Sequence, residues 1–247
     1  MHGVTHFQQT LSSLSKTFTV RDVMVGEKRL VRGHDESEAS QLLAKYPDFD
    51  VIPIPKSGDI TSFLERGADA PKIVTTEDMV SDGTGVFDLV DVIAKRRHVF
   101  VLSRQSIAGY VHFSDLNNHL VKIPLFVLLE SFESELATAI APHLSENLLK
   151  EQLGESQFGR IKRIADRLRA SRANLNWTTG LMFGNIIDLA MHLKLVRLTQ
   201  ADRDKVVSVR NNVDHATGAL VESLNDVRDL SEAKRICLQV LQTRTKH

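Results

Sequence analysis

At 247 residues the chain can bury one large core or two modest ones. Its 31 Lys and Arg cancel its 31 Asp and Glu, so no global field draws it to nucleic acid or membrane, and any electrostatic footprint has to be local. A single cysteine, Cys237, excludes a disulfide framework and a thiolate metal cluster, and no stretch approaches the roughly 18 uninterrupted apolar residues of a membrane span. With no charged start and apolar run at the N-terminus, these features predict a soluble, unprocessed protein of the reducing cytoplasm.

Residues 1–17 are rich in Ser, Thr and Gln and read as an arm that joins the fold at Phe18. His2 and His6 have i, i+4 spacing, but without a third ligand nearby they are assigned no metal. From Phe18 the pattern alternates. Residues 28–33, KRLVRG, predict a strand, and residues 35–45 predict a helix capped by Asp35. Residues 49–55 form a β-branched run closed by prolines, and residues 58–66 predict a strand after a glycine turn. The order returns with KIVTTEDMV at 72–80, a turn at 81–85, a helix over 86–97 and strands at 98–103 and 107–113. Two β-α-β-β units of about 50 residues make an internal repeat.

The second unit ends in Gly109-Tyr110-Val111-His112-Phe113-Ser114-Asp115. A carboxylate that opens a helix after a strand can accept a vicinal diol, while the sheet edge supplies flat apolar walls for a purine. Asp115 can equally serve only as the cap of the following helix. This stretch resembles the end of the last strand in CBS domain pairs: Gly, two apolar residues, Thr or Ser, two variable residues and Asp. The resemblance covers residues 18–120. It implies that Asp115 takes the ribose of an adenosine ligand, with Ser114 and His112 beside it and His112 standing where the family carries its hydroxyl. The implied ligand is regulatory, an adenine nucleotide (ATP, ADP or AMP) or S-adenosylmethionine, and no cofactor is required. The first unit has Leu64 where the aspartate is expected, so one site per chain is predicted.

Beyond Leu120 the pattern is helical throughout, which predicts domains at 18–120 and 121–247 joined stiffly and, for the whole chain, an α+β class. Pro124 suits the first turn of a helix whose apolar stripe runs Leu125, Phe126, Leu128, Leu129, Phe132, Leu136 and Ile140. Residues 155–172 form a basic amphipathic helix in which Arg160, Arg163 and Arg167 are candidate RNA contacts, although a charge run also suits a solvated face. Residues 178–195 predict the most apolar helix, with His192 toward the core. A helix from Thr199 toward Gly218 follows, and residues 219–243 close the bundle.

Within that penultimate helix lies Arg210-Asn211-Asn212-Val213-Asp214-His215. A permanently charged guanidinium and an imidazole are the groups that in-line attack on a phosphodiester needs. On a helix, however, Arg210 and His215 point about 140° apart, while Arg210 and Asp214 are i, i+4 neighbours and can form a plain ion pair. The segment resembles the HEPN signature, an arginine, a polar residue, three variable residues and a histidine. That resemblance implies an all-α bundle and a metal-independent endoribonuclease acting as a homodimer, with Arg210, Asn211 and His215 as catalytic residues. It also implies RNA as substrate, and leaves open a neutralising protein partner in the manner of an antitoxin. The alternative is a non-catalytic, adenine-nucleotide-responsive dimer that binds RNA or a protein.

Overall fold

The computed structural model describes residues 10, 13–14, 16–170, 177–215 and 217–244, with the side chains of 168–170 and 244 left out. His2, His6 and Arg172 lie outside the described residues. The fold is mixed α+β, and its contacts divide it into two units: residues 12–122 with 221–228, and the remainder. No helix among the described residues is long and apolar enough to cross a membrane.

The first unit contains two β-α-β-β copies. One runs through β1 (Val25–Gly26), α2 (Glu36–Lys45), β2 (Val51–Lys56) and β3 (Asp59–Glu65); a short α1 (Val20–Val23) precedes it and β4 (Lys72–Ile73) follows. The other runs through β5 (Met79–Ser81), α3 (Val86–Ile93), β6 (His98–Ser103) and β7 (Ser106–His112). The copies exchange a strand: β1 joins the second copy's sheet in the order β1-β7-β6-β5, while β2-β3-β4 form a separate sheet. β1 lies antiparallel to β7, pairing Val25 with Tyr110 and Gly26 with Gly109. β2 holds Pro53 and Pro55 because it is an edge strand, where a missing N–H leaves no ladder partner unpaired.

Alternation in β2 and β3 feeds two clusters. Ile52, Ile54 and Leu64 pack with Ala39 and Leu43 of α2, while Val51, Ile60 and Phe63 meet Phe100 and Ile107 of the other sheet, with Phe63 and Phe100 ring centroids 5.2 Å apart. Leu64, standing where the first copy lacks its aspartate, is thus core. The strand expected at residues 28–33 is not formed. Glu27–Arg29 is a 3-10 turn, and Gly33 N–H gives a single bond to the Pro53 carbonyl. The helix expected over 86–97 stops at Ile93, because Lys95–Arg97 must turn the chain back so that Val99–Val101 enter the core.

The second unit is helical among the described residues: the body of α4 (His119–Ile140), α5 (Glu146–Ala170), α6 (Phe183–His192), α7 (Gln200–Asp214) and most of α8 (Leu224–Arg244). Leu125, Leu128, Leu129, Phe132, Leu136 and Ile140 are buried as the stripe predicts, but Phe126 is 45 % exposed. Pro124 lies inside α4 and not at its first turn, since the helix already starts at His119. Gly154 breaks α5 with φ +77°, a backbone conformation a side chain would strain. The apolar helix expected over 178–195 is shorter, with a 3-10 turn at Trp177–Gly180 before α6, and His192 is exposed on the wet side of α6. Cys237 is buried, and burial pushes its thiol upward, away from reactivity.

Thr199 caps α7 reciprocally: Asp202 N–H donates to its Oγ1 at 3.1 Å while Thr199 N–H donates to Asp202 Oδ2 at 2.9 Å. The backbone bond from Thr199 holds the Asp202 carboxyl below its ordinary value. A depressed carboxylate contributes stability above its unfolded pKa and loses it as pH falls through the folded one. Asp202→Ala is therefore expected to cost about 1 kcal/mol at neutral pH and less in strong acid, as urea melts at both pH values would show.

Candidate functional site

The sequence of β7 ends by turning its last residue into a cap. His112 N–H donates to Asp115 Oδ2 at 2.8 Å, and His112 Nδ1 accepts from Ser114 N–H at 3.4 Å, so a 3-10 turn over Phe113–Asn117 starts where the strand stops. The capping alternative for Asp115 is thus realised. It engages only Oδ2, leaving Oδ1 without a hydrogen-bond partner among the described residues. Burial raises the Asp115 carboxyl above its ordinary value, opposed by the bond from His112 and by the charges of His112 and Arg29.

His112 reaches across the repeat. Its Nε2 lies 2.9 Å from Asp50 Oδ2, just ahead of β2, and its Nδ1 lies 2.9 Å from Ser114 Oγ. Asp50 Oδ2 also accepts from Arg97 Nη1 at 3.2 Å. A carboxylate only accepts, so Nε2 carries a ring proton and donates to Asp50. The sequence motif thereby becomes one element of a longer chain, Arg97 to Asp50 to His112 to Ser114.

Asp50, His112 and Ser114 edge a cleft of ≈ 310 Å³. Val25, Leu30, Val31, Phe49, Val51, Pro53 and Tyr110 form its apolar walls, and Arg29, Asp48, Asp50, His112, Ser114 and Asp115 its polar mouth. The volume falls at the small end of the range for small-molecule sites, about 300–1,000 Å³, which suits a nucleoside. Tyr110 stacks on His98, ring centroids 5.5 Å apart, and burial holds its hydroxyl well above the ordinary phenol value. The loop supplying Asp48, Phe49 and Asp50 is held by Arg66, whose guanidinium donates to the carbonyls of Leu43, Tyr46 and Phe49 at 2.7–3.0 Å.

The corresponding segments of the other copy also border a hollow, but one filled with ion pairs: Arg96 with Asp78 at 3.6 Å and Arg97 with Asp50 at 3.2 Å. Its lining is mostly charged and lacks the apolar walls of the first cleft.

The described residues place Arg210, Asn211 and His215 at one end of α7 but engage the arginine elsewhere. Arg210 pairs with Asp214 and, at 3.7 Å, with Glu133 of α4, and its guanidinium lies 5.6 Å from the Phe183 ring centroid. Its Nε is enclosed without a hydrogen-bond partner among the described residues. Asn211 is exposed, and His215 is the exposed cap that ends α7, where the expected helix end was nearer Gly218. Burial raises the Glu133 carboxyl, with Arg210 opposing and Glu130 and Asp214 adding to the rise. Arg160, Arg163 and Arg167 are exposed on one face of α5. No group of three or more metal-ligating side chains occurs among the described residues.

Arg29, Asp50, Arg66 and Arg97, which line or brace the cleft mouth, carry no motif in the sequence. Asp50 and His112 stand 62 positions apart, and only the folded repeat joins them.

No protein-family model matches the chain, and no curated protein matches it. Two solved structures align with about half of it. One is the CBS domain of the bacterial CNNM/CorC family Mg2+ transporter in complex with the inhibitor IGN95a, 15 % identical, covering 47 % of this chain and 83 % of that one. The other is the CBS domain of the bacterial CNNM/CorC family Mg2+ transporter in complex with ATP, 17 % identical, covering 49 % and 94 %. The TM-score is 0.34 in both cases, which does not establish a shared fold.

Proposed function

We propose that this chain is a ligand-responsive binding module: its β-α-β-β unit takes an adenosine-bearing molecule, an adenine nucleotide or S-adenosylmethionine, at Asp115. The observation that carries this reading is the Asp115 carboxylate at the lip of an apolar, nucleoside-sized cleft, with one oxygen still able to accept a ribose hydroxyl. The CBS-like ending of β7 supports it independently of that geometry. The helical unit is the responding part, in a homodimer that presents Arg160, Arg163 and Arg167 to RNA or to a protein partner.

Ribonuclease chemistry of the HEPN type is the weaker reading. It needs Arg210 on a scissile phosphate, and that guanidinium already faces two carboxylates, Asp214 and Glu133. An anionic substrate would have to displace both.

Calorimetric titration of the full chain with adenosine compounds tests the proposal. Asp115→Asn should weaken the wild-type affinity at least tenfold, since the amide presents a donor to one hydroxyl of the diol. Equal affinity of wild type and variant would remove Asp115 from the site.

A further inference from the structure

Resting on that reading, the mouth of the cleft also says which end of an adenosine-bearing ligand it tolerates. We propose that the cleft selects a nucleoside whose 5′ substituent is uncharged or cationic, and discriminates against 5′-phosphorylated forms.

Phosphate sites at a strand-to-helix turn rely on backbone N–H groups left free to point at the anion. Here three successive ones are used within the protein. His112 N–H donates to Asp115 Oδ2, Phe113 N–H to the Arg97 carbonyl at 2.9 Å, and Ser114 N–H to His112 Nδ1. The Ser114 hydroxyl is engaged as well, 2.9 Å from His112 Nδ1.

The charges agree with the hydrogen bonds. Asp48, Asp50 and Asp115 line the mouth against a single guanidinium, Arg29. Arg97 meets Asp50 from the neighbouring polar hollow, outside the cleft lining. A phosphate entering here meets three carboxylates and occupied N–H groups with one guanidinium to hold it, whereas hydroxyl, amine or sulfonium groups meet acceptors and negative charge. Asp50 bears on both features, as one of the carboxylates and as the acceptor that holds the His112 ring beside Ser114.

The test is titration of the full chain with adenosine, S-adenosylmethionine, AMP and ATP at physiological salt, followed by AMP against Asp48→Asn and Asp50→Asn. The expected result is that adenosine and S-adenosylmethionine bind at least tenfold more tightly than AMP or ATP. AMP should regain at least threefold relative to adenosine in the variants; Asp48 is exposed at the rim, so its variant reports even where Asp50→Asn disturbs folding. AMP or ATP binding as tightly as adenosine, or tighter, would overturn this inference while leaving the adenosine site standing. A folded wild type that binds none of the four would overturn both.

Discussion

Gly109→Ala is expected to lower the melting temperature by roughly 4–8 °C, equivalent to about 2 kcal/mol of overpacking in a chain of this size. A Cβ at Gly109 would stand 2.8 Å from the Val25 carbonyl oxygen and 2.7 Å from Met24 Sδ. The methionine can swing aside, but the carbonyl belongs to β1, which must move off β7. β1 is held by only two residue pairs, Val25 with Tyr110 and Gly26 with Gly109. Because Val25, Arg29, Leu30 and Val31 form one side of the cleft, the same substitution should weaken ligand binding although residue 109 does not line it. Calorimetric melting and amide exchange at Val25 and Gly26 check it; unchanged stability with full protection there would show that the exchanged strand is not held by this contact.

Arg210→Ala is expected to destabilise the helical unit by about 1–3 kcal/mol, because it leaves Glu133 and Asp214 without their shared cation. The pH dependence identifies the cause. Glu133 is already raised by burial, and Arg210 is what pulls it back. Without the arginine its carboxyl rises further, so the deficit should be larger above that pKa and shrink in acid where Glu133 is protonated. The same variant and His215→Ala should cleave RNA no differently from wild type. A variant as stable as wild type that loses a wild-type nuclease activity would return Arg210 to catalysis.

What could be read from the residues was the local part. The two β-α-β-β units, the buried stripe from Leu125 to Ile140 and the cap at Thr199 follow from period and spacing, which act within a few residues. Gly109 and Asp115 were legible as a motif. KRLVRG misled because Leu30 and Val31 bury their apolar surface beside a cleft and not in a ladder, and periodicity does not distinguish the two. His192 and Phe126 misled because an amphipathic pattern gives the face of a helix but not the width of its contact. The Arg97, Asp50, His112 and Ser114 chain had no local signal, and neither did Arg66 closing over three carbonyls from beyond β3. The first joins residues of the two copies and the second closes a loop of the first copy, contacts that only the folded chain brings about. The Arg210–Asp214 pair, by contrast, was implied by i, i+4 spacing alone.

A crystal structure of the full chain with adenosine decides whether Asp115 holds the ligand. The base is expected among Val25, Val31, Phe49 and Tyr110, with a ribose hydroxyl within hydrogen-bond distance of Asp115 Oδ1. Adenosine bound elsewhere, or in this cleft with its ribose turned away from Asp115, would contradict it.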